Sequence, residues 1–167
     1  MPWLIGAAIL LLILTSEAYA MKRSVEKDSE IQSWIMFYAE KNRVDPNLIR
    51  ALIKKESSWD PEGINPSDPS FGLMAITPIL AQDYSELTGD VIVKDWRNRT
   101  AEEVQAIFDP ETNLKIGCWN IGRYLPVCSL EESIQMYNLG RHGYLSGGRV
   151  PDYLEKVLRF YDEYSRI

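Results

Sequence analysis

Glu56 is the side chain whose setting most clearly calls for chemistry. Ile49, Leu52, Ile53 and Glu56 follow one another at spacings of three, one and three. A helix through them carries Glu56 at the end of its apolar stripe, with Lys54 and Lys55 on the polar side. A carboxylate aimed at the core from a last helical turn is disfavoured as an anion twice over. Burial removes its water, and the helix C-terminus adds negative potential, so both raise its pKa. A carboxyl that keeps its proton near neutral pH can act as a general acid. Periodicity alone allows a second arrangement equally well, in which the Glu marks the helix end and turns to solvent.

Two further clusters accompany it. Ser57-Ser58-Trp59 follow directly, and Gly72-Leu73-Met74 come after a turn-rich stretch. Gly72 would let the backbone approach a ligand closely, or serve as an ordinary turn glycine. Trp59 and Met74 suit a sugar-facing surface or core packing. The third cluster is Met136-Tyr137-Asn138-Leu139-Gly140. Asn138 and Gly140 fit a helix terminus, and Tyr137 could point its hydroxyl into a cleft. The lone His142 reads as a solvated residue of a Gly-rich loop.

The elements that must position these residues read as helices joined by short turns, with no run of alternating residues. Ile31, Trp34, Ile35 and Tyr38 form a helical stripe behind Ser29, a candidate N-cap. Asp45-Pro46, Thr77-Pro78 and Asp109-Pro110 each pair a capping side chain with a proline at the first helical position. Thr100 with Glu103, and Ser129 with Glu132, match the capping box. Leu114, Cys118, Ile121 and Leu125 make another stripe, and Tyr153, Val157 and Tyr161 share one side of a last helix. Residues 60–71 are too rich in Pro, Gly and Asp to form a regular element. The expectation is a mainly α single domain with one long functional loop at 60–75.

Composition removes several alternatives. The 167 residues are 46% hydrophobic, enough to bury one sizeable core. A net charge of −6 argues against a nucleic-acid partner, which calls for a basic surplus. One His and two Cys are too few for an all-protein zinc site, so no metal is expected. Residues 3–14 are a continuous apolar run, followed by the small-x-small sequence Ala18-Tyr19-Ala20. The expected division is a signal peptide or short membrane anchor at 1–20 and a catalytic domain at 21–167. The cleavage-like sequence favours release. The lack of Lys or Arg before the run and Lys22-Arg23 directly after it disagree with a simple signal peptide, since positive flanks tend to stay cytoplasmic; a buried helix of the domain is the other reading. Export would put Cys118 and Cys128 in an oxidising compartment, where their spacing permits a disulfide; two buried free thiols are the other reading.

Taken together, Glu56-Ser57, Gly72-Leu73-Met74 and Tyr137-Asn138-x-Gly140 resemble the soluble lytic transglycosylase domain, a member of the lysozyme-like superfamily. The likeness spans about residues 30–160, and Tyr153-Leu-Glu-Lys-Val157 resembles the family's terminal helix. It implies a lysozyme-like fold, with Glu56 as the single catalytic acid/base and Ser57 as the serine beside it. Gly72, Leu73 and Met74 would line the glycan groove, with Trp59 contributing, and Tyr137 and Asn138 would stand near the carboxylate. Two positions depart from the family pattern: Ala75 replaces a Gln that can hydrogen-bond a sugar, and Met136 replaces an Ala.

The resemblance further implies cleavage of peptidoglycan between N-acetylmuramic acid and N-acetylglucosamine with closure of a 1,6-anhydro ring and no cofactor. Ordinary glycosidases use two carboxylates, for which Asp60, Glu62, Asp68 and Asp83 are candidates here. A hydrolytic muramidase using Asp60 or Asp68 to position water therefore stays open. So does a non-catalytic glycan-binding or assembly module. Expected partners are peptidoglycan strands and a secretion or conjugation apparatus, or a phage apparatus for entering the cell. The expected location is periplasmic, membrane-anchored facing the wall, or virion-associated, with contact to the inner membrane through the N-terminal segment.

Overall fold

The computed structural model describes residues 24–26, 28–66 and 68–166. The apolar segment 1–20, with its expected cleavage or anchoring, lies outside the described residues. The first long helix, α1 (Ser29–Asn42), is capped by Asp28, whose carboxylate accepts from the amides of Glu30 at 2.9 Å and Ile31 at 3.1 Å. Ser29, expected as the cap, is instead the first helical residue. The next helix, α2 (Pro46–Glu56), starts where Asp45 accepts from the Asn47 amide at 2.8 Å with proline at the first position. Helices α3 (Pro78–Thr88) and α5 (Pro110–Gly122) start in the same way, on Thr77 and Asp109. Capping boxes open α4 (Ala101–Phe108) and α6 (Leu130–Leu145), and α7 (Pro151–Ser165) begins at proline without a side-chain cap.

The turn-rich loop does contain regular structure, contrary to the sequence expectation. Strands β1 (Ile64–Asn65) and β2 (Ser70–Phe71) pair antiparallel, Ile64 opposite Phe71 and Asn65 opposite Ser70. Two residues per strand are too few to show an alternating pattern, so the hairpin left no periodic trace. At its far end the Gly72 amide donates to the Gly63 carbonyl at 2.9 Å, and Phe71 bridges to Ile76. A second difference concerns α6. Gly140 (φ +70°, ψ 158°) marks a kink rather than a terminus, and the helix resumes to Leu145.

The core gathers around α2. Leu48, Ile49, Leu52 and Ile53 are buried, with Ile31 and Ile35 of α1, Leu114, Ile116, Cys118 and Ile121 of α5, and Tyr153 and Val157 of α7. Helix α7 runs antiparallel along α2. Tyr153, near its start, reaches Glu56 at the end of α2; the Tyr161 hydroxyl, farther on, donates to Asp45 at 2.7 Å. The Trp59 indole donates to Tyr164 at 2.9 Å, and Tyr164 donates to Glu26 at 2.7 Å.

The cysteines correct another expectation. Both thiols are free: Cys118 is buried in the main core, whereas Cys128 packs beside a separate cluster of Tyr124, Met136 and Tyr144. The residues between them continue α5 and then turn, which carries the two side chains to different clusters. Burial also pushes the Cys118 thiol well above its ordinary value, keeping it protonated.

Helix α5 meets the loop through a glycine. A Cβ on Gly117 would lie 2.3 Å from the Met74 sulfur and 3.0 Å from its Cβ. Gly117→Ala should therefore overpack the site and lower stability by about 1–3 kcal/mol, read from urea denaturation. An unchanged midpoint would show that Met74 can move aside freely.

Candidate active site

Glu56 closes α2 and opens, partly buried, onto a cleft of about 1000 Å³. Loop residues Asn65, Asp68, Ser70 and Ala75 form one part of the wall, α3 gives Asp83, and α5 and α6 give Arg123, Tyr137, Asn138 and His142. The Tyr153 hydroxyl donates a short hydrogen bond to the Glu56 carboxylate. Burial raises the Glu56 pKa, while the Tyr153 bond and the Lys55 ammonium draw it down, and burial prevails. The phenol itself stays protonated, because burial and then the Glu56 charge both push its own pKa up. Half-buried Lys55 sits 4.7 Å from the Tyr153 ring centroid.

Tyr137 is the second phenol near the carboxylate. Its hydroxyl donates to the Met74 carbonyl at 2.8 Å, and burial and then the Glu56 charge raise its pKa. The amide of the same residue is held by a buried side chain that the sequence reading missed. Asn113 Oδ1 accepts from the Met74 amide at 2.8 Å, while its Nδ2 donates to the carbonyls of Phe71 at 2.7 Å and Ile107 at 2.9 Å. A Cβ on Gly72, whose φ is +74°, would meet that Nδ2 at 2.5 Å. The glycine serves both a left-handed turn and a close approach, toward Asn113 rather than toward a ligand.

The structure divides the expected site residues into two groups. Glu56, Tyr137 and Asn138 line the cleft together. Trp59, Gly72, Leu73 and Met74 are buried and do not line it, which corrects their reading as glycan-facing surfaces. Positive φ at Ser58 (55°) and Trp59 (67°) turns the chain so that the indole enters the core. Met74 packs inward on Gly117, leaving the next residue, Ala75 (φ +50°), partly exposed to the cleft. Ser57 also stays outside the lining. Its hydroxyl donates to Ile53 at 3.2 Å and accepts from the Asp60 amide at 3.2 Å, securing the turn that follows α2.

Among the candidate second carboxylates, Asp68 and Asp83 line the cleft, and Asp60 and Glu62 do not. Burial raises Asp83, opposed by the charge of Arg123. Among the described residues no group of three or more His, Cys, Asp or Glu side chains is arranged to hold a metal ion. His142 is exposed, as expected, yet it too borders the cleft. Tyr153 and Asn113 had partial signals: Tyr153 shares its helical face with Val157, and Asn113 is a polar residue inside an apolar stripe. Neither signal says which partner it meets.

Two outcomes follow from the titration of Glu56. Tyr153→Phe removes a bond to the charged form, so the Glu56 carboxyl should titrate at higher pH in carbon-13 NMR; an unmoved or lowered midpoint would contradict this. The second concerns stability. Below about pH 4, near the unfolded pKa, both states hold the proton and ionisation costs nothing. As pH rises, the unfolded chain ionises first, and stability falls until the folded pKa is passed. Glu56→Gln should thus gain stability relative to the natural protein as pH rises above the unfolded carboxyl value of about 4. A constant difference across urea titrations would count against it.

Residues 33–146 match the family model described as Transglycosylase SLT domain, a span from α1 through α6 that stops short of α7. No curated protein matches the chain significantly.

Proposed function

Since the chain belongs to the transglycosylase SLT domain family, lysozyme-like in fold and directed at peptidoglycan glycan strands, we propose that it cleaves the β-1,4 bond between N-acetylmuramic acid and N-acetylglucosamine without water. The supporting observation is Glu56 itself: a carboxyl on a cleft, held above its ordinary pKa, with a neutral phenol donating to it. Such a group can give up a proton and take one back, which is the work of both halves of the reaction.

In the first half the Glu56 proton passes to the glycosidic oxygen as its bond to the muramyl C1 breaks. The N-acetylglucosamine hydroxyl leaves, and positive charge spreads over C1 and the ring oxygen. In the second half the Glu56 carboxylate takes the proton of the muramyl C6 hydroxyl while that oxygen bonds to C1. This closes the 1,6-anhydro ring and returns Glu56 to its protonated form. Tyr153 holds the carboxyl in one orientation throughout and favours the anion between the two transfers. Tyr137 fixes the loop carbonyl beside the site, and Ala75 offers the sugar no hydrogen bond from its side chain.

The same proposal places the protein outside the inner membrane, exported or anchored through residues 1–20. There it would open the wall locally for a secretion or conjugation apparatus, or for a phage entering the cell.

Purified peptidoglycan digested by the chain from Met21 onward, beside Glu56→Gln, tests this by mass spectrometry. Anhydromuramyl products are expected, falling about 10²- to 10⁴-fold in the variant. Reducing ends one water heavier would make the enzyme a hydrolase and turn attention to Asp68 and Asp83, the two other carboxylates on the cleft. Wall binding without products would leave a glycan-binding module.

A further inference from the structure

Farther along the cleft from the acid, Arg123 presents a cation that is fixed in place yet unpaired. Its guanidinium carbon lies 4.0 Å from the Trp119 ring centroid and 5.3 Å from that of Tyr124. Its Nη2 donates to Asn120 at 2.6 Å and to the Tyr124 hydroxyl at 3.2 Å. Among the described residues the buried Nε has no hydrogen-bond partner, and Nη1 has none either. No carboxylate stands within ion-pair distance among the described residues, although Asp83 is near enough to feel the charge. Arg123, Asn120, Tyr124 and Asp83 all line the cleft that Glu56 opens onto.

Stacking and two hydrogen bonds restrict the rotamers of a long side chain before any ligand arrives, so little freedom remains to be lost on binding. The N–H groups left free on Nη1 can donate a charge-assisted hydrogen bond to a carboxylate. Resting on the function proposed above, we propose that Arg123 recognises a carboxylate carried by the muramyl substituent of the strand, making the enzyme selective for charged over neutral glycan. Two sources share that chemistry: the free carboxylates of the stem peptide, and the lactyl carboxylate exposed when the peptide has been removed. Asp83 is the built-in competitor, close enough to interact with Arg123 without occupying it.

Binding, rather than turnover, tests this in the full chain carrying Glu56→Gln. The probes are soluble peptide-bearing glycan fragments and the same fragments with their carboxyls amidated. At low salt the charged fragments should bind about tenfold more tightly, an advantage that shrinks as salt rises. Adding Arg123→Gln should abolish the difference, and Arg123→Lys should keep part of it. Equal binding of charged and amidated fragments would overturn the proposal. So would a difference that survives Arg123→Gln, or one that is lost instead on Arg141→Gln, at a second arginine lining the cleft. If Arg123→Gln does not fold, the lysine variant, the amidated fragments and the salt series still decide. Once the preference is seen, peptide-stripped strands assign its source: retained tight binding places the carboxylate on the lactyl group, and weakened binding places it on the peptide. Failure of the native chain to yield any product would sink the catalytic reading and leave this one standing; cleavage without charge preference would do the reverse.

Discussion

The structure is arranged around one difficulty, a carboxylate placed where a carboxylate is least welcome. The end of α2 already carries the negative pole of its helix, and the surrounding core removes water. Glu56 is tolerated there because Tyr153 donates to it, and Tyr153 is there because α7 lies antiparallel along the whole of α2. The choice of a phenol matters. An arginine or lysine at the same point would pull the carboxyl far below neutrality and leave it no proton to give. A phenol whose own pKa is raised donates one hydrogen bond and brings no charge. It orients the carboxyl and eases its ionised form without cancelling the effect of burial.

That donor is positioned by two helices rather than by a flexible side chain. Tyr161 ties α7 to Asp45, the cap of α2, and Tyr164 ties it to Trp59, just past the other end. The opposite wall depends on Asn113 in a comparable way. One amide side chain satisfies three backbone groups, of Phe71, Met74 and Ile107, and so converts a Pro-rich loop into a fixed surface. Tyr137 then reads the position of that loop through the Met74 carbonyl. The three sequence clusters converge on one cleft because the buried residues of the middle cluster set its backbone, while Glu56 and the residues from Met136 to Gly140 reach the open face.

Much of this was legible in the sequence where the signal is local. The cap-and-proline pairs at Asp45, Thr77 and Asp109, and the capping boxes at Thr100 and Ser129, lie where expected, because such signals act within one helical turn. The apolar stripe ending at Glu56 was readable for the same reason. Direction was not. Nothing within the Ser57-Ser58-Trp59 stretch says that two left-handed residues will rotate the indole into the core, and a Gly-Leu-Met triplet does not declare which of its residues is covered. Asn113 and Tyr153 illustrate the general limit. The bonds from Asn113 to Met74 and Phe71, and from Tyr153 to Glu56, join residues 39 to 97 positions apart, so the sequence carries the chemistry of each partner and not the pairing.

Charge shows the same separation between whole-chain and local information. A net charge of −6 is a poor match for a wall polymer that is itself anionic. Yet at physiological ionic strength charges more than about 8 Å apart are largely screened, so the total weighs little once a strand is seated. What the strand meets is the local arrangement. Arg123 and Arg141 border the cleft from the α5–α6 side, with Asp83 contributed by α3 and Asp68 by the hairpin loop. Inside a cleft, where water is fewer and the effective dielectric lower, the nearest of these charges dominate. The acidic surplus then acts mainly at longer range, weakening indiscriminate adhesion to the wall while leaving the seated complex to be decided by the cation held against Trp119.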